Sequence, residues 1–536
     1  MNAKDKKVNS RQIKTDILII GSGLAGMIAA IEAAKSKEEI TILAKDIFSK
    51  SGTTHVTRAG FSVVLKDKNI KDSPRNPFID TIKSGKGINN KRLVKLLVEK
   101  APQYIEKLTN YGIRLEQKKY LGGGHSLPRM IYTKNKNGSD ITTPLSKYIK
   151  KEKNIKIQQC VEVLDIFKKN NIFISVCFDK KKQCLFYVCS KVVIIATGGA
   201  GQIYKITRNP KEATGDGFAL AYNLGVELVD MEFVQHYPLE VLWPKTKELH
   251  ADIPASLPSL GAVSRNKFNE VFMIKYDPKG DLATRDIHAR GLFQEIINGR
   301  GVRGGIWFDF SEVDENKMQK AIPDYYNYFK KKRLPKNDWR VIVSPGAHYF
   351  MGGIKINEMS ESSLRGLFAC GEVTGGVHGA NRLACNSLSD CVVFGHVAGI
   401  NAARFAKKMK TKIDIYFDID KYLLDILNGH IAKISNIKEI KSGLQKVMWD
   451  EAGLLRNEIG LRRASKFVEK YYKKFQQVKI INLKEIPQLF ELRNMLTTAY
   501  MLIISAIKRK ESRGSHYRTD FTMTKKIFDK NFITKK

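Results

Sequence analysis

The stretch Asp16-Ile17-Leu18-Ile19-Ile20-Gly21-Ser22-Gly23-Leu24-Ala25-Gly26-Met27-Ile28-Ala29-Ala30-Ile31-Glu32-Ala33-Ala34 decides the fold. Its first five residues read as a buried strand, and the alanine-rich run that closes it reads as a helix. Ile40-Thr41-Ile42-Leu43 supplies a second strand, so strand, glycine turn, helix and strand fall within about 30 residues. In that setting each glycine has a task. Gly21 permits the tight turn, Gly23 lets a pyrophosphate approach the backbone, and Gly26 lets the helix pack closely on the strand. The helix N-terminus offers phosphates unpaired N–H groups and the positive end of its dipole. The segment therefore predicts a dinucleotide-binding α/β domain. An acidic residue is expected at the end of the second strand to hold the ribose, but Ala44-Lys45 stands there, which disfavours a plain NAD site.

Further along, residues 91–110 read as an amphipathic helix, and residues 160–190 alternate as a small antiparallel sheet would. Val192-Val193-Ile194-Ile195-Ala196 is a buried strand that ends in Thr197-Gly198-Gly199-Ala200-Gly201. The pattern turns loop-rich from about residue 233. Leu367-Phe368-Ala369-Cys370-Gly371 gives another short strand, and the chain is mostly helical and basic from about residue 405. No internal repeat is visible.

The chain has 536 residues, 43% hydrophobic and 27% charged, which excludes wholesale disorder and leaves room for several domains. Seven cysteines without a Cys-x-x-Cys pair argue against a disulfide scaffold, an iron–sulfur cluster and a structural zinc site, so no metal ligands are expected. The 92 Lys and Arg against 54 Asp and Glu give a net charge of +38, which attracts anions and nucleic acid. Heavy use of Lys, Ile and Asn, with no basic block set apart, explains that charge without a nucleic-acid function. No run of 18 apolar residues predicts a membrane span, and the polar Met1–Lys14 lacks the apolar core of a secretory signal. A cytoplasmic chain with reduced thiols is expected.

Several further motifs fall in one order. After Gly21-x-Gly23-x-x-Gly26 come Ser51-Gly52-Thr53-Thr54 leading to Ala59-Gly60, Gly123-Gly124-His125-Ser126-x-Pro128-Arg129, Ala196-Thr197-Gly198-Gly199 and Thr214-Gly215-Asp216-Gly217. Arg285-Asp286, His348-Tyr349-x-Met351-Gly352-Gly353, Gly371-Glu372, His378-Gly379-Ala380-Asn381-Arg382-Leu383 and Asn386-Ser387-Leu388 follow. Glu491-Leu492-x-Asn494-Met495 and Glu511-Ser512-Arg513-Gly514-x-His516-x-Arg518-x-Asp520 close the series. Together, over about residues 14–521, they make the chain closely resemble the flavoprotein family of succinate dehydrogenase, fumarate reductase and L-aspartate oxidase.

The resemblance implies an α/β fold. A Rossmann-like FAD-binding domain would occupy two segments, 1–232 and 345–404, with an inserted α+β capping domain, 233–344, and a C-terminal helical domain, 405–536. It implies that FAD is held by Gly21, Gly23, Leu24, Ala25, Gly26, Lys45, Ser51, Gly52, Thr53, Thr54, Ala59, Gly60, Thr197, Gly198, Asp216, Glu372, Asn386, Ser387 and Leu388. Asn386 and Ser387 also suit the cap of a helix starting at Leu388. Thr214-Gly215-Asp216 suits a turn beside the cofactor. Some members attach FAD through a histidine. Counting back from Ala59-Gly60, that position is Thr53, with His55 two residues away, so FAD is expected to be noncovalent.

The activity implied is hydride transfer between flavin N5 and a carboxylic acid, interconverting CH–CH and C=C. Such chemistry needs a clamp for the acid, positive charge for an enolate-like transition state, and a proton at the other carbon. Arg382 suits bidentate carboxylate binding, His348 matches the second carboxylate donor, and Arg285 matches the family's proton donor. Arginine stays protonated, so that last role requires a relay, for which Asp286 or a nearby carboxylate is the candidate. Two elements depart from the family. Its Gln-aromatic-His-Pro-Thr reads Gln235-His236-Tyr237-Pro238-Leu239, and its Thr-Glu-x-x-Arg-Gly-Glu, due near 255–262, reads Ala255-Ser256-Leu257-Pro258-Ser259-Leu260-Gly261-Ala262. The site for a second carboxylate is thus rewritten. His236 and Tyr237 remain as substrate-binding candidates, and Arg265 could lend charge.

The expectation is an FAD-dependent oxidoreductase of a small carboxylic acid. L-aspartate oxidase is the alternative enzyme. A basic flavoprotein scaffold or RNA-binding protein is the alternative of another class. Its candidate surface, Tyr471-Tyr472-Lys473-Lys474-Phe475, reads more simply as a solvated amphipathic helix, and no nucleic acid is expected. Electrons would leave to O2, to a diffusible carrier, or to a separate iron–sulfur or other electron-transfer subunit. Such a partner could place the chain peripherally on the inner face of a membrane.

Overall fold

The structure, a computed structural model, describes residues 11–67, 70–246, 248–249, 253–254, 257–422, 437–475 and 483–536, without the side chains of 474, 475 and 483. Ala255 and Ser256 of the rewritten segment, and the side chains of Lys474 and Phe475, therefore lie outside the described residues.

The strand Arg11–Ile20 lies at the centre of a seven-stranded sheet. Its run Ile17-Leu18-Ile19 is buried on both faces, as a parallel strand covered by helices requires. It pairs in parallel with Ile40–Ala44 on one side (Ile17 opposite Ile40) and with Cys184–Ile195 on the other (Ile17 opposite Val192). Ile155–Gln159 extends the sheet beyond Ile40–Ala44, and Leu367–Ala369 pairs with the far half of Cys184–Ile195. The fold is Rossmann-like, and its parallel strands are separated by helices and by long sequence insertions.

The antiparallel segment expected over 160–190 is not a separate sheet. Val161–Lys169 and Ile172–Asp179 form a meander with Cys184–Ile195, whose twelve residues serve both parts. Lys191 does not interrupt that strand, because its ammonium pairs with Asp16 at 2.8 Å. Ile172–Asp179 is buried on both faces instead of alternating. Its outer face is covered by Ile486, Leu489 and Phe490 from the helix Ile486–Lys508.

A second, four-stranded sheet orders Val234–Trp243, Arg340–Phe350, Ile306–Asp309 and Val263–Arg265. It forms a cap with its own core of Leu239, Phe308, Phe310, Tyr325, Phe329 and Trp339. The two long strands leave the main body antiparallel, Val234 opposite Phe350, so their inner ends carry Gln235, Tyr237, His348 and Tyr349 into one place. The helices Ile437–Glu451, Glu458–Phe475 and Ile486–Lys508 form the C-terminal layer, and Tyr471 and Tyr472 pack on the core. Beyond them Arg509 is fully buried, with Nε 2.5 Å from Glu232 and Nη1 3.0 Å from Glu511. Removing one partner of such an ion pair costs about 3–5 kcal/mol. The end of the chain is fixed too, since Ile533–Thr534 pairs with Leu228–Val229.

Candidate active site

An elongated cleft of roughly 1300 Å³, counted out to its mouth, crosses the C-terminal ends of the parallel strands, where open α/β sheets bind ligands. Its middle is the glycine turn. Gly21 sits at φ +114°, and a Cβ there would collide with the Ala196 carbonyl, so no other residue fits. A Cβ on Gly26 would strike the Gly21 carbonyl, which is the close helix–strand contact expected of it. A Cβ on Gly23 would meet only Thr54 Oγ1 at 3.4 Å, so the protein itself leaves that space open. The helix Leu24–Ala34 starts there without a side-chain cap, and Leu24 N–H donates to Thr54 Oγ1 at 3.0 Å. Ser51, Gly52, Thr53, Thr54, Thr197 and Gly198 complete this part of the wall.

One end of the cleft is charged. Lys45 Nζ donates to Thr214 Oγ1 (2.7 Å) and Asp216 Oδ2 (2.9 Å) and pairs with Glu491 Oε2 (2.9 Å), with Glu162 Oε1 at 3.8 Å. Burial pulls the Lys45 ammonium down, but Asp216, Glu162 and Glu491 outweigh it and keep it protonated. Asp216 opens the helix Asp216–Asn223 and is held below the usual carboxylate range: burial opposes, while Lys45, Asn494 and Thr214 prevail.

The other end collects Gly371, Glu372, Ser387, Leu388, His348, Tyr349 and Arg382. Arg382 is buried and forms no ion pair with any described residue. Nη1 donates to the Leu383 carbonyl (3.0 Å), Nη2 donates to Gln235 Oε1 (2.9 Å), and the guanidinium lies 4.4 Å from the centre of the Tyr349 ring. Nε–H is buried without a partner among the described residues. Burial, against Tyr349 and with help from Arg285, pushes its pKa down to about 10. His348 Nδ1 is likewise buried without a partner among the described residues. Burial first, then Arg382, Arg208 and Arg285, hold the ring neutral. Tyr349 is braced by His378 Nε2 at 3.3 Å, itself 2.9 Å from Asp390. Glu372 accepts from Phe350 N–H (3.0 Å), and burial raises it to about 7. Arg285 begins the helix Arg285–Glu295, half-buried, with its guanidinium 5.1 Å from the centre of the Tyr237 ring.

The FAD binding domain family matches residues 16–388, and the family described as Fumarate reductase flavoprotein C-term matches residues 441–535. The chain belongs to the FAD-binding fumarate reductase flavoprotein family. An FAD-dependent oxidoreductase of Methanocaldococcus jannaschii is 40% identical over 98% of this chain and 96% of its own length. One subunit of the fumarate reductase (CoM/CoB) of Methanothermobacter marburgensis is 32% identical, over 98% of both chains. Among solved structures, the E. coli quinol fumarate reductase FrdA superposes with a TM-score of 0.87 at 26% identity, over 98% of this chain and 94% of that one.

This flavoprotein binds FAD, and its cleft fits that cofactor. The helix start at Gly23, which carries no N-cap side-chain bond, suits the pyrophosphate, and the buried Arg382 Nε–H and His348 Nδ1, unpartnered among the described residues, stand at the end opposite Lys45. Several residues expected at the cofactor are not on this wall. Ala59 and Gly60 do not line the cleft; Ala59 accepts from Thr133 N–H, and Gly60 is packed against Tyr132 and Cys385. Asn386 is not a cap. The helix Asn386–Lys408 begins at that residue, Cys385 holds the N-cap position at φ +61°, and Asn386 Nδ2 donates to Thr81 Oγ1. His55 lies off the wall, with Nδ1 3.1 Å from Thr142 Oγ1.

His236 points away from the site, its ring 5.3 Å from Tyr204 and 6.1 Å from Trp449. Burial, then Arg456, lowers it to about 3. Tyr237 faces His348, but its hydroxyl donates to the Ile253 carbonyl at 2.6 Å. Arg265 pairs with Asp309 at 2.7 Å and lends no charge to the cleft. Asp286 accepts from Thr284 Oγ1 and lies 3.4 Å from Arg290. Gln235, one residue of the rewritten motif and not itself a sequence candidate, holds the Arg382 guanidinium. Its Nε2 donates to Asn381 Oδ1 (3.0 Å) and the Arg382 carbonyl (2.8 Å), while Oε1 accepts from the guanidinium.

Proposed function

We propose that this flavoprotein interconverts a small monocarboxylic acid and its α,β-unsaturated form, with FAD held noncovalently. Bound FAD supplies the hydride acceptor or donor. The observation that carries the reading is Arg382: a buried guanidinium at the redox end of the cleft, with no carboxylate of its own among the described residues. Leaving such a charge unpaired is costly, and a substrate carboxylate compensates it. His348, neutral and adjacent, adds a hydrogen-bond donor without adding charge. The cation of Arg285 stabilises the enolate-like transition state and delivers the proton at the carbon opposite the hydride. Its half-exposed position lets solvent recharge it, since Asp286 is committed to Arg290.

The far end of the substrate loses the polar groups of the family's motif. Leu239 stands where the family has Thr and is buried in the cap core, and neither His236 nor Arg265 reaches the site. A second carboxylate there would gain nothing from Leu239, His236 or Arg265, and burying it without compensation is costly. The FAD-binding unit is assigned to 1–232 and 345–404, the cap to 233–344 and the helical unit to 405–536. Electron exchange through a separate iron–sulfur subunit is supported by the absence of a Cys-x-x-Cys pair from this sequence and by the likeness to one subunit of a larger reductase. Steady-state kinetics with fumarate, crotonate and cinnamate test the proposal. Monocarboxylic enoates should have the higher kcat/KM, and tight, fast fumarate turnover would show that the cap still clamps two carboxylates.

A further inference from the structure

The charged end of the cleft holds more carboxylate than its lysine needs. Lys45 is satisfied by Asp216 and Glu491 at 2.9 Å each, and Glu491 also has Lys441 at 2.7 Å. Glu162 is the carboxylate left over. It is the second residue of the strand Val161–Lys169, is 3% exposed, and lines the cleft. Its Oε1 is buried with no hydrogen-bond partner among the described residues, and its two lysine contacts there are long: 3.8 Å from Oε1 to Lys45 and 3.9 Å from Oε2 to Lys180. Buried carboxylates are normally hydrogen-bonded, so an orphan oxygen on a residue that lines a ligand cleft points to a group meant for the ligand. The ligand end is also defined. Glycine turn and helix N-terminus take the pyrophosphate, the Arg382 end takes the redox ring, and the adenosine half remains for Glu162. The acid missing from the end of the second strand, where Ala44-Lys45 stands, would have served the same half.

We propose that Glu162 is the acceptor for the adenosine half of FAD, taking a ribose hydroxyl or the adenine amino group, and that it couples cofactor affinity to a proton. Without the cofactor Glu162 rises to about 7, because burial and the nearby Asp216 and Glu491 outweigh Lys45 and Lys180. A hydrogen bond donated by the cofactor favours the ionised carboxylate, so binding FAD releases a proton below that pH. Affinity then rises with pH up to about 7 and is flat above it, by about tenfold per pH unit at most.

The test is equilibrium titration of apoprotein with FAD, followed by quenching of flavin fluorescence between pH 6 and 8.5, with FMN as the ligand lacking adenosine. The expected wild-type result is an FAD Kd that falls about tenfold from pH 6 to above pH 7, and FMN binding that is weak and flat with pH. Glu162→Gln should lose the pH slope and weaken FAD about tenfold at pH 8. Glu162→Asp, which keeps the charge and shortens the reach, should retain a slope with reduced affinity, and far-UV circular dichroism confirms that each apoprotein is folded. An unchanged Kd and slope in Glu162→Gln, or tighter FAD binding at every pH, would overturn the proposal.

Discussion

Replacing Gln235 with Leu should damage substrate binding while leaving FAD in place. The side chain makes three hydrogen bonds: to Asn381 Oδ1 at 3.0 Å, to the Arg382 carbonyl at 2.8 Å, and from Arg382 Nη2 at 2.9 Å. The last involves a cation, and hydrogen bonds to charged groups are worth about 1.5–3 kcal/mol. Losing it frees one edge of the guanidinium to rotate about the Tyr349 ring and leaves Nη2 buried without an acceptor. At about 1.4 kcal/mol per decade, KM for the acid should rise roughly 10- to 100-fold. Gln235 does not line the cleft, so flavin content should equal that of wild type. Gln235→Glu keeps the acceptor but supplies Arg382 with a resident carboxylate, and should raise KM further by competing with the substrate. Kinetics on the holoenzyme, together with Kd for a carboxylate ligand from perturbation of the flavin spectrum, separate binding from kcat. If KM in both variants stayed within twofold of wild type, Gln235 would not be what orients the clamp.

Arg285→Ala should lower turnover by on the order of 10²-fold or more with FAD still bound, because the lost cation acts on the transition state; a rapid-mixing measurement of flavin oxidation reads it. Acid precipitation should release the flavin into the supernatant, since Thr53 occupies the position of attachment; fluorescence retained on the denatured band of a gel contradicts this. Glu32 gives a pH prediction for stability. Burial would raise its carboxyl, but His396 at 3.3 Å and Lys35 at 2.6 Å outweigh that and hold it at about 2 against an ordinary 4.5. A depressed pKa stabilises the fold above pH 4.5, and that stability is lost as pH falls through 2. Glu32→Gln should therefore cost about 3 kcal/mol at pH 7 and little below pH 2, read by denaturant unfolding.

The nucleotide end of the site was legible because its signal is local. Gly21, Gly23 and Gly26 act on the backbone within one turn, so their spacing carries their geometry. The redox end depends on side chains brought together by two long strands, and there parity decides. Successive strand residues face opposite sides. Moving the histidine of the family motif by one place therefore turned His236 toward Tyr204 and Trp449, and left Tyr237 facing His348. Charged groups offered from nearby sequence, Arg265 and Asp286, proved to have partners, Asp309 and Arg290, that no spacing announces. Cooperation of Lys45 with Glu162, Asp216 and Glu491 spans over four hundred residues of chain and emerges only in the folded cleft. The alternation over 160–190 does mark antiparallel strands. Their merger with the parallel sheet was hidden because Cys184–Ile195 serves both parts as one strand, with Lys191 inside it beside Asp16.

In the proposed reaction Arg382 clamps the substrate carboxylate, and that role is directly testable. Photoreduced holoenzyme, mixed anaerobically with a monocarboxylic enoate or with its methyl ester, reports flavin reoxidation by absorbance. The acid should reoxidise wild type rapidly, while the ester with wild type, and the acid with Arg382→Ala, should each be slower by about 100-fold or more, because each lacks one half of the ion pair. Equal rates for acid and ester, or an Arg382→Ala enzyme as fast as wild type, would contradict the claim that Arg382 binds the substrate.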